Sequence, residues 1–249
     1  MAFDITRSKV LAGLPHGFFG HGGKENAPAH QFGYGGDGSA SEIAEMRAAA
    51  VTAIRPEAVL VAPHQVHSPD VFVVERPWAD APEGRPVADA VVTGTPGIAL
   101  GIVTADCAPV LLADPDAGII AAAHAGWRGA QGRILGNTID AMERLGANRS
   151  AIAAAIGPTI AQPSYEVDVP FRAHFAEDDD RFFAPGRPDH WQFDLPAFVV
   201  AQLQRAGIDH IDDCALDTFS LSARYFSYRR AAQRGESNYG RNLSVIALS

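Results

Sequence analysis

From residue 58 to residue 123 the chain is a succession of short apolar runs, at 58–62, 71–75, 87–92, 98–104, 108–113 and 118–123. They are separated by segments carrying Pro, Gly and Asp. Runs of this length bounded by turn residues read as strands. Further strands are expected at 151–156, 213–217, 224–228 and 243–248. Helical spacing appears in three places. Ser39 and Glu42 form the sequence pattern of a capping box, and Ile43, Met46, Ala50, Val51 and Ile54 follow at helical intervals. A second helix is expected over 129–145, with Ile134, Leu135, Thr138, Met142 and Leu145 on its apolar stripe and Gly146 as its C-terminal cap. A third is expected near 195–206. Strands outnumber helices and many are adjacent in sequence. This favours an α+β fold, a single domain over 1–249 with layered mixed β-sheets flanked by helices, over a doubly wound sheet.

The composition narrows the function classes. A chain of 249 residues can bury a core without disulfide staples, and two cysteines, Cys107 and Cys214, cannot form a disulfide framework. A formal charge of −9 argues against a nucleic-acid coat, which needs a basic footprint. No apolar run reaches the roughly 20 residues a bilayer core requires. The first twenty residues, with Asp4 among them, make a poor signal peptide. The expectation is a cytoplasmic protein, monomeric or dimeric. One glycine-rich loop, 20–38, is long for a compact domain and a candidate to close over a ligand.

The chemistry concentrates in residues 104–129. Two apolar runs flank Asp114-Pro115-Asp116-Ala117. A hairpin centred on that turn pairs Ala113 with Gly118, Leu111 with Ile120 and, at its open end, Cys107 with His124. Opposite residues share a face, with Cβ atoms about 5 Å apart. A loop one residue longer or shorter would put them on opposite faces. Thiolate and imidazole together suit Zn²⁺ if a third ligand is present. They also suit a Cys–His nucleophilic dyad, and a buried cysteine beside an incidental histidine is the plainest alternative. A third ligand is available in the segment APHQVHSPD, from His64 or His67, and chemistry alone does not choose between them.

At this point the segments HQVHS (64–68), ADAVVT (88–93), TADCAPVLLAD (104–114), AAHAGWRG (122–129), IGPTIAQPSYEV (156–167), YFSYRR (225–230) and GRNLSVI (240–246) are in view. Together they resemble the family labelled multicopper polyphenol oxidoreductase, or laccase-domain protein, also described as purine nucleoside phosphorylase-like and as peptidoglycan editing factor-like. The motifs span residues 16–246. The resemblance implies an α/β/β/α layered fold, similar to cytotoxic-necrotising-factor-like cysteine hydrolases. It implies one zinc, held by His67, Cys107 and His124, with an open fourth position. It implies phosphorolysis of adenosine, inosine and methylthioadenosine to free base and sugar 1-phosphate, with adenosine deamination as a second activity. The pattern departs from the family's at Gln31-Phe32-Gly33, at Met46-Arg47, at Cys214-Ala215 and at His21.

Phosphorolysis needs cationic anchors, which in an acidic chain must be local. Arg47 is the first candidate, as a catalytic and substrate-binding residue, with Arg229 and Arg241 behind it, because the planar guanidinium suits oxyanions. Arg47 also reads as a solvated helix arginine. If YFSYRR is a strand, Arg229 and Arg230 face opposite sides. Tyr165 is a candidate to stack on the purine, and His16, beside the glycine loop, to contact substrate. Asp89 and Asp106 are candidates to orient a ligand imidazole, and equally to satisfy turn backbone. Two other functions stay open: a metal-free Cys107–His124 hydrolase acting on a cell-wall peptide, and a polyphenol oxidase with one Cu²⁺. A full laccase machine needs about ten histidines, commonly as H-x-H pairs. This chain has nine histidines and no such pair.

Overall fold

The computed structural model describes residues 3–22 and 30–248. Its first elements are strands β1 (Ile5–Thr6) and β2 (His16–Phe19), helix α1 (Ala40–Ile54), and strands β3 (Val59–Val61), β4 (Val71–Val73), β5 (Ala90–Thr93), β6 (Ile98–Thr104), β7 (Ala108–Asp114) and β8 (Ile119–Ala125). Helices α2 (Trp127–Gln131) and α3 (Ile134–Arg144), strands β9 (Ala153–Ile156) and β10 (Glu166–Asp168), and the short helix α4 (Val169–Arg172) follow. The chain continues through strands β11 (Phe183–Pro185) and β12 (His190–Phe193), helix α5 (Leu195–Arg205), strand β13 (His210–Asp213), helix α6 (Tyr228–Gln233) and strand β14 (Asn242–Ala247).

Two mixed sheets stack face to face. One has strand order β1-β2-β14-β6-β3 and the other β13-β9-β7-β8-β5-β4. Period-two alternation explains the stacking. Leu111, Ala113, Ile120 and Ala122 point inward from the six-stranded sheet, against Phe18, Leu100, Ile102 and Ile246 of the five-stranded one. Alternate residues, Val110, Leu112, Ala121 and Ala123, turn outward against α3 and α5. On the far side, Ala50 and Val51 of α1 cover Leu60, Leu243 and Val245. The layers therefore run helix, sheet, sheet, helix. A small third sheet, β10-β12-β11, carries an aromatic cluster around Phe171, Phe175 and Phe193.

The expected strand at 98–104 and the helix beginning at Leu195 appear as anticipated. Ser39 and Glu42 form the capping box in both directions. Four expectations are corrected. The 129–145 helix is two helices, broken where Arg133 takes a left-handed backbone (φ 71). The segment 224–228 is not a strand, and α6 begins at Tyr228, capped by Ser227. The strand expected at 213–217 lies at His210–Asp213, drawn back by parallel pairing with β9. The β7–β8 hairpin pairs Asp114 with Ile119 and Pro109 with His124, a register displaced by two residues. Its turn sits one residue later because Asp114 accepts the N–H groups of Asp116 and Ala117, and because Gly118 takes φ +66. A displacement of two preserves the face, so Cys107 and His124 remain on one side as diagonal neighbours. Of the long loop at 20–38, residues 23–29 lie outside the described residues.

Candidate metal centre and its two cavities

The centre is assembled at one end of the inter-sheet space. His67 sits on the connection from β3 to β4, and Cys107 on the connection from β6 to β7. Both connections pass from the five-stranded to the six-stranded sheet. His124 is the penultimate residue of β8. Donor atoms of the three lie within 4.8 Å of one another, and Cys107 Sγ stands 3.8 Å from His67 Nε2. Ligands of a tetrahedral Zn²⁺, at about 2.0–2.3 Å from the ion, stand roughly 3.3–3.6 Å apart. The observed spacing therefore closes on an ion with a small movement. Among the described residues this is the one such His/Cys/Asp/Glu group. Of the two histidines left open by chemistry, His67 joins it. His64 lies outside the group: it lines the cationic cavity described below, and its backbone bridges to the 86–88 segment.

Asp89 organises two of the three candidate ligands. One carboxylate oxygen stands 2.7 Å from His124 Nδ1, which leaves Nε2 to face the centre. The same carboxylate accepts the backbone N–H groups of Val66 (3.1 Å), His67 (2.9 Å) and Ser68 (2.6 Å), and the Ser68 hydroxyl. These bonds hold His67 in its left-handed backbone (φ 63). Burial alone would raise the Asp89 pKa, but its bond to His124 and these N–H donors outweigh it and bring the carboxyl down to about 2. Gln65 fastens the same loop from the other side, pairing with both backbone groups of Val103 like an added strand residue.

Of the two readings open for Asp106, the structure favours the one in which it satisfies backbone. It touches no imidazole and anchors the Cys107 loop. Its carboxylate accepts from the Thr218 and Ser227 hydroxyls and from the Arg229 N–H, and its carbonyl accepts from Ile160 N–H and the Thr159 hydroxyl. Gly126 supplies room, since a Cβ there would lie 2.9 Å from Cys107 Sγ and 3.0 Å from His67 Cδ2. Without a metal, Cys107 and His124 form a mutually stabilised pair. Burial works against both charges, yet the His124 cation and hydrogen bonds bring the thiol down to about 6, and the thiolate and Asp89 raise the imidazole to about 9.

Two cavities meet at the centre and share His67, Ala105 and Cys107. One, of about 220 Å³, is cationic, with Arg47, Arg85, Arg241 and Tyr34 in its walls. The other, of about 190 Å³, is aromatic, lined by Trp127, Tyr165, Leu195 and Tyr228 with Arg128 and Arg229 at its edge.

Residues 18–249 match the family described as multi-copper polyphenol oxidoreductase laccase. The chain belongs to this family. Among laccase-domain relatives, a purine nucleoside phosphorylase of Streptomyces coelicolor is 38% identical over 235 residues, covering 93% of this chain and 96% of its own. One of Rickettsia conorii is 35% identical over 212 residues, covering 84% and 85%. Among solved structures, YlmD from Geobacillus stearothermophilus has a TM-score of 0.84 at 27% identity, covering 97% of this chain and 94% of its own. A Neisseria meningitidis protein reaches the same TM-score at 27% identity over the full length of both chains.

Within this laccase-domain chain the expected substrate residues divide. Arg47 is fully buried, not solvated. Its Nε and Nη2 donate to both oxygens of Asp80 (2.6 and 2.8 Å) and Nη1 donates to the Phe32 carbonyl (2.9 Å). Tyr165 and Arg229 face the aromatic cavity, with the Arg229 guanidinium 5.4 Å from the Tyr165 ring centre. Arg230 is turned away from both the cationic and the aromatic cavity and donates to the carbonyls of Thr218, Phe219 and Tyr225. His16 lines neither cavity. Its ring is engaged by Leu14 O and Ser8 N, where it closes the turn before β2. Sequence reasoning missed Arg85 and Tyr34. Arg85 lies in a Pro-rich segment with no periodic pattern, and only the fold brings it to 5.3 Å from the Tyr34 ring. Among the described residues no helix is long and apolar enough to cross a membrane.

Proposed function

We propose that this chain is a zinc-dependent purine nucleoside phosphorylase. It takes adenosine, inosine or methylthioadenosine with inorganic phosphate and yields free purine and the sugar 1-phosphate, with deamination of adenosine as a second activity at the same centre. The observation that carries the reading is the pairing of a cationic and an aromatic cavity on either side of one His–Cys–His group. A nucleoside undergoing phosphorolysis presents a flat π-system on one side of its anomeric carbon and receives an oxyanion on the other. Relatives named purine nucleoside phosphorylase across most of the chain support the same reaction.

In this reading His67, Cys107 and His124 hold the metal, and the Cys/His₂ donor set suits Zn²⁺, with Cu²⁺ as an accepted substitute. When bound, the ion supplies Lewis-acid stabilisation of developing negative charge. Tyr165 and Trp127 offer faces for the purine, and Arg229 closes that side. A phosphate oxygen forms the new bond to C1′ as the C1′–N9 bond breaks. The electron pair goes to the purine, which takes up one proton and leaves as the free base. Asp89 keeps the His124 ring oriented, so the centre is preorganised before substrate arrives.

A second reading is supported by a specific feature. The Cys107–His124–Asp89 chain, with its lowered thiol and raised imidazole, is also the arrangement of a thiol hydrolase. One experiment separates the two. Protein purified without chelator is analysed for metal and then incubated with inosine or adenosine, with and without phosphate. The expected result is one zinc per chain, lost in His67→Ala, and base plus sugar 1-phosphate released only when phosphate is present. Zinc-loaded protein that releases no base in the presence of phosphate overturns the proposal. Metal-free protein that cleaves a cell-wall peptide amide establishes the hydrolase.

A further inference from the structure

The cationic cavity contains three arginines in unlike states. Arg47, through which an oxyanion was expected to bind, is already neutralised by the bidentate bond to Asp80. Arg85 gives Nη1 to Pro63 O (3.1 Å) and Nη2 to Pro82 O (3.2 Å), while its Nε is buried with no partner. Arg241 has a buried Nη1 with no partner, and Thr104, 3% exposed, has an unpartnered hydroxyl oxygen. Buried polar groups without partners are few in native proteins and costly. Among the described residues five side-chain atoms have this status, and three of them belong to residues that line this one cavity beside Cys107.

Two of the three groups are cationic, and among the described residues neither arginine has a carboxylate of its own. Asp80 is taken by Arg47 on both oxygens. The cavity is therefore walled by two guanidiniums without a carboxylate partner and by Thr104, and each of the three side chains keeps one polar atom that no protein group satisfies. A neutral sugar would satisfy the donors and leave the charge uncompensated. A phosphate dianion satisfies both, because its oxygens accept in several directions at once.

Resting on the phosphorolysis reading, we propose that Arg85, Arg241 and Thr104 form the phosphate cradle and that Arg47 is a positioning residue. Arg47 fixes Asp80, whose carbonyl accepts the Tyr34 hydroxyl at 2.7 Å. The Tyr34 ring in turn lies against both the Arg47 and Arg85 guanidiniums, at 5.1 and 5.3 Å. Arg47 thus sets the wall from which Arg85 reaches the anion. Orthophosphate and the phosphoryl group of a sugar 1-phosphate share this chemistry, and the cradle takes either.

The test is equilibrium binding of orthophosphate, and separately of ribose 1-phosphate, to zinc-loaded protein by titration calorimetry, followed by steady-state kinetics. Arg85→Met and Arg241→Met are each expected to weaken orthophosphate binding at least tenfold and to raise the phosphate KM by a similar factor, with the inosine KM unchanged. Arg85→Lys, which keeps the charge, restores part of the affinity. Thr104→Val, isosteric and low in folding risk, weakens binding severalfold. Ribose 1-phosphate affinity falls in parallel if the phosphoryl group occupies the same cradle in the product. Orthophosphate affinity equal to wild type in folded Arg85→Met and Arg241→Met overturns the proposal, as does a wild-type protein that binds no orthophosphate. Phosphate binding that is lost in the variants of a protein without phosphorolysis leaves the cradle standing and removes the phosphorylase reading.

Discussion

Gly126 shows how closely the centre is fitted. Its φ is −68°, so the backbone does not require glycine there. The space does, because a methyl group would meet Cys107 Sγ and the His67 ring at 2.9 and 3.0 Å. Gly126→Ala is therefore expected to keep the fold and to lower zinc affinity by about ten- to a hundredfold, the scale seen when groups supporting metal ligands are disturbed. Competition with a chromogenic chelator measures it. The charge pair gives a second expectation at this scale. In metal-free protein the thiol lies at about 6, below the ordinary ~8.5, so thiolate is present from about pH 6 upward. His124 stays protonated until about pH 9, where the pair comes apart. Alkylation of Cys107 by iodoacetamide should then rise with a midpoint near pH 6. In His124→Ala the midpoint moves upward by about two pH units or more, toward an ordinary thiol. A midpoint unchanged by that substitution would show that His124 does not hold the thiolate. Asp89 adds an acid limb. A carboxyl lowered to about 2 contributes stability that is complete above its unfolded value of ~3.9 and is lost as pH falls through 2.

At the scale of elements, legibility follows how local the determining contacts are. The β6 strand was readable because seven consecutive residues are buried or nearly so and its ends are set by neighbouring turns. The α1 cap was readable because Ser39 and Glu42 satisfy each other. A capping contribution of about 1 kcal/mol is expected, so Ser39→Ala should lower stability by that amount in denaturant titration while phosphate-dependent activity stays near wild type. The break between α2 and α3 was not readable. The stripe from Ile134 to Leu145 is continuous with what precedes it, and only the left-handed Arg133 interrupts the ladder. YFSYRR alternates like a strand, yet becomes a helix because Ser227 caps it and Asp106 accepts the Arg229 N–H. That carboxylate is more than a hundred residues away, and no local pattern reports it. The candidate centre divides in the same way. Parity of the β7–β8 hairpin placed Cys107 and His124 on one face even though the register moved by two. The choice of His67 over His64 depended on Asp89, which captures three successive N–H groups in the loop. Arg85 depended on tertiary structure alone.

At the scale of the molecule, the position of the centre predicts how metal and stability are linked. Two of the three candidate ligands ride on connections that carry the chain from one sheet to the other, β3 to β4 and β6 to β7, and the third ends a central strand of the six-stranded sheet. An ion held by all three ties both connections to that sheet, and it does so only in the folded chain. A ligand that binds only the native state stabilises it by RT ln(1 + [L]/Kd), about 4 kcal/mol at a thousand times Kd. For a domain of this size each kcal/mol moves Tm by roughly 2–4 °C. Zinc at that excess should raise Tm by roughly 8–16 °C over chelated protein, and His67→Ala should remove the increment while leaving the metal-free Tm near wild type. Leu111→Ala supplies the contrast. Leu111 is fully buried between the sheets, and its truncation should cost about 2–5 kcal/mol, lowering Tm with and without zinc alike. If the sheets and the centre were energetically separate, chelation would leave Tm unchanged in wild type. A zinc increment that survives His67→Ala would place the stabilising ion elsewhere on the chain.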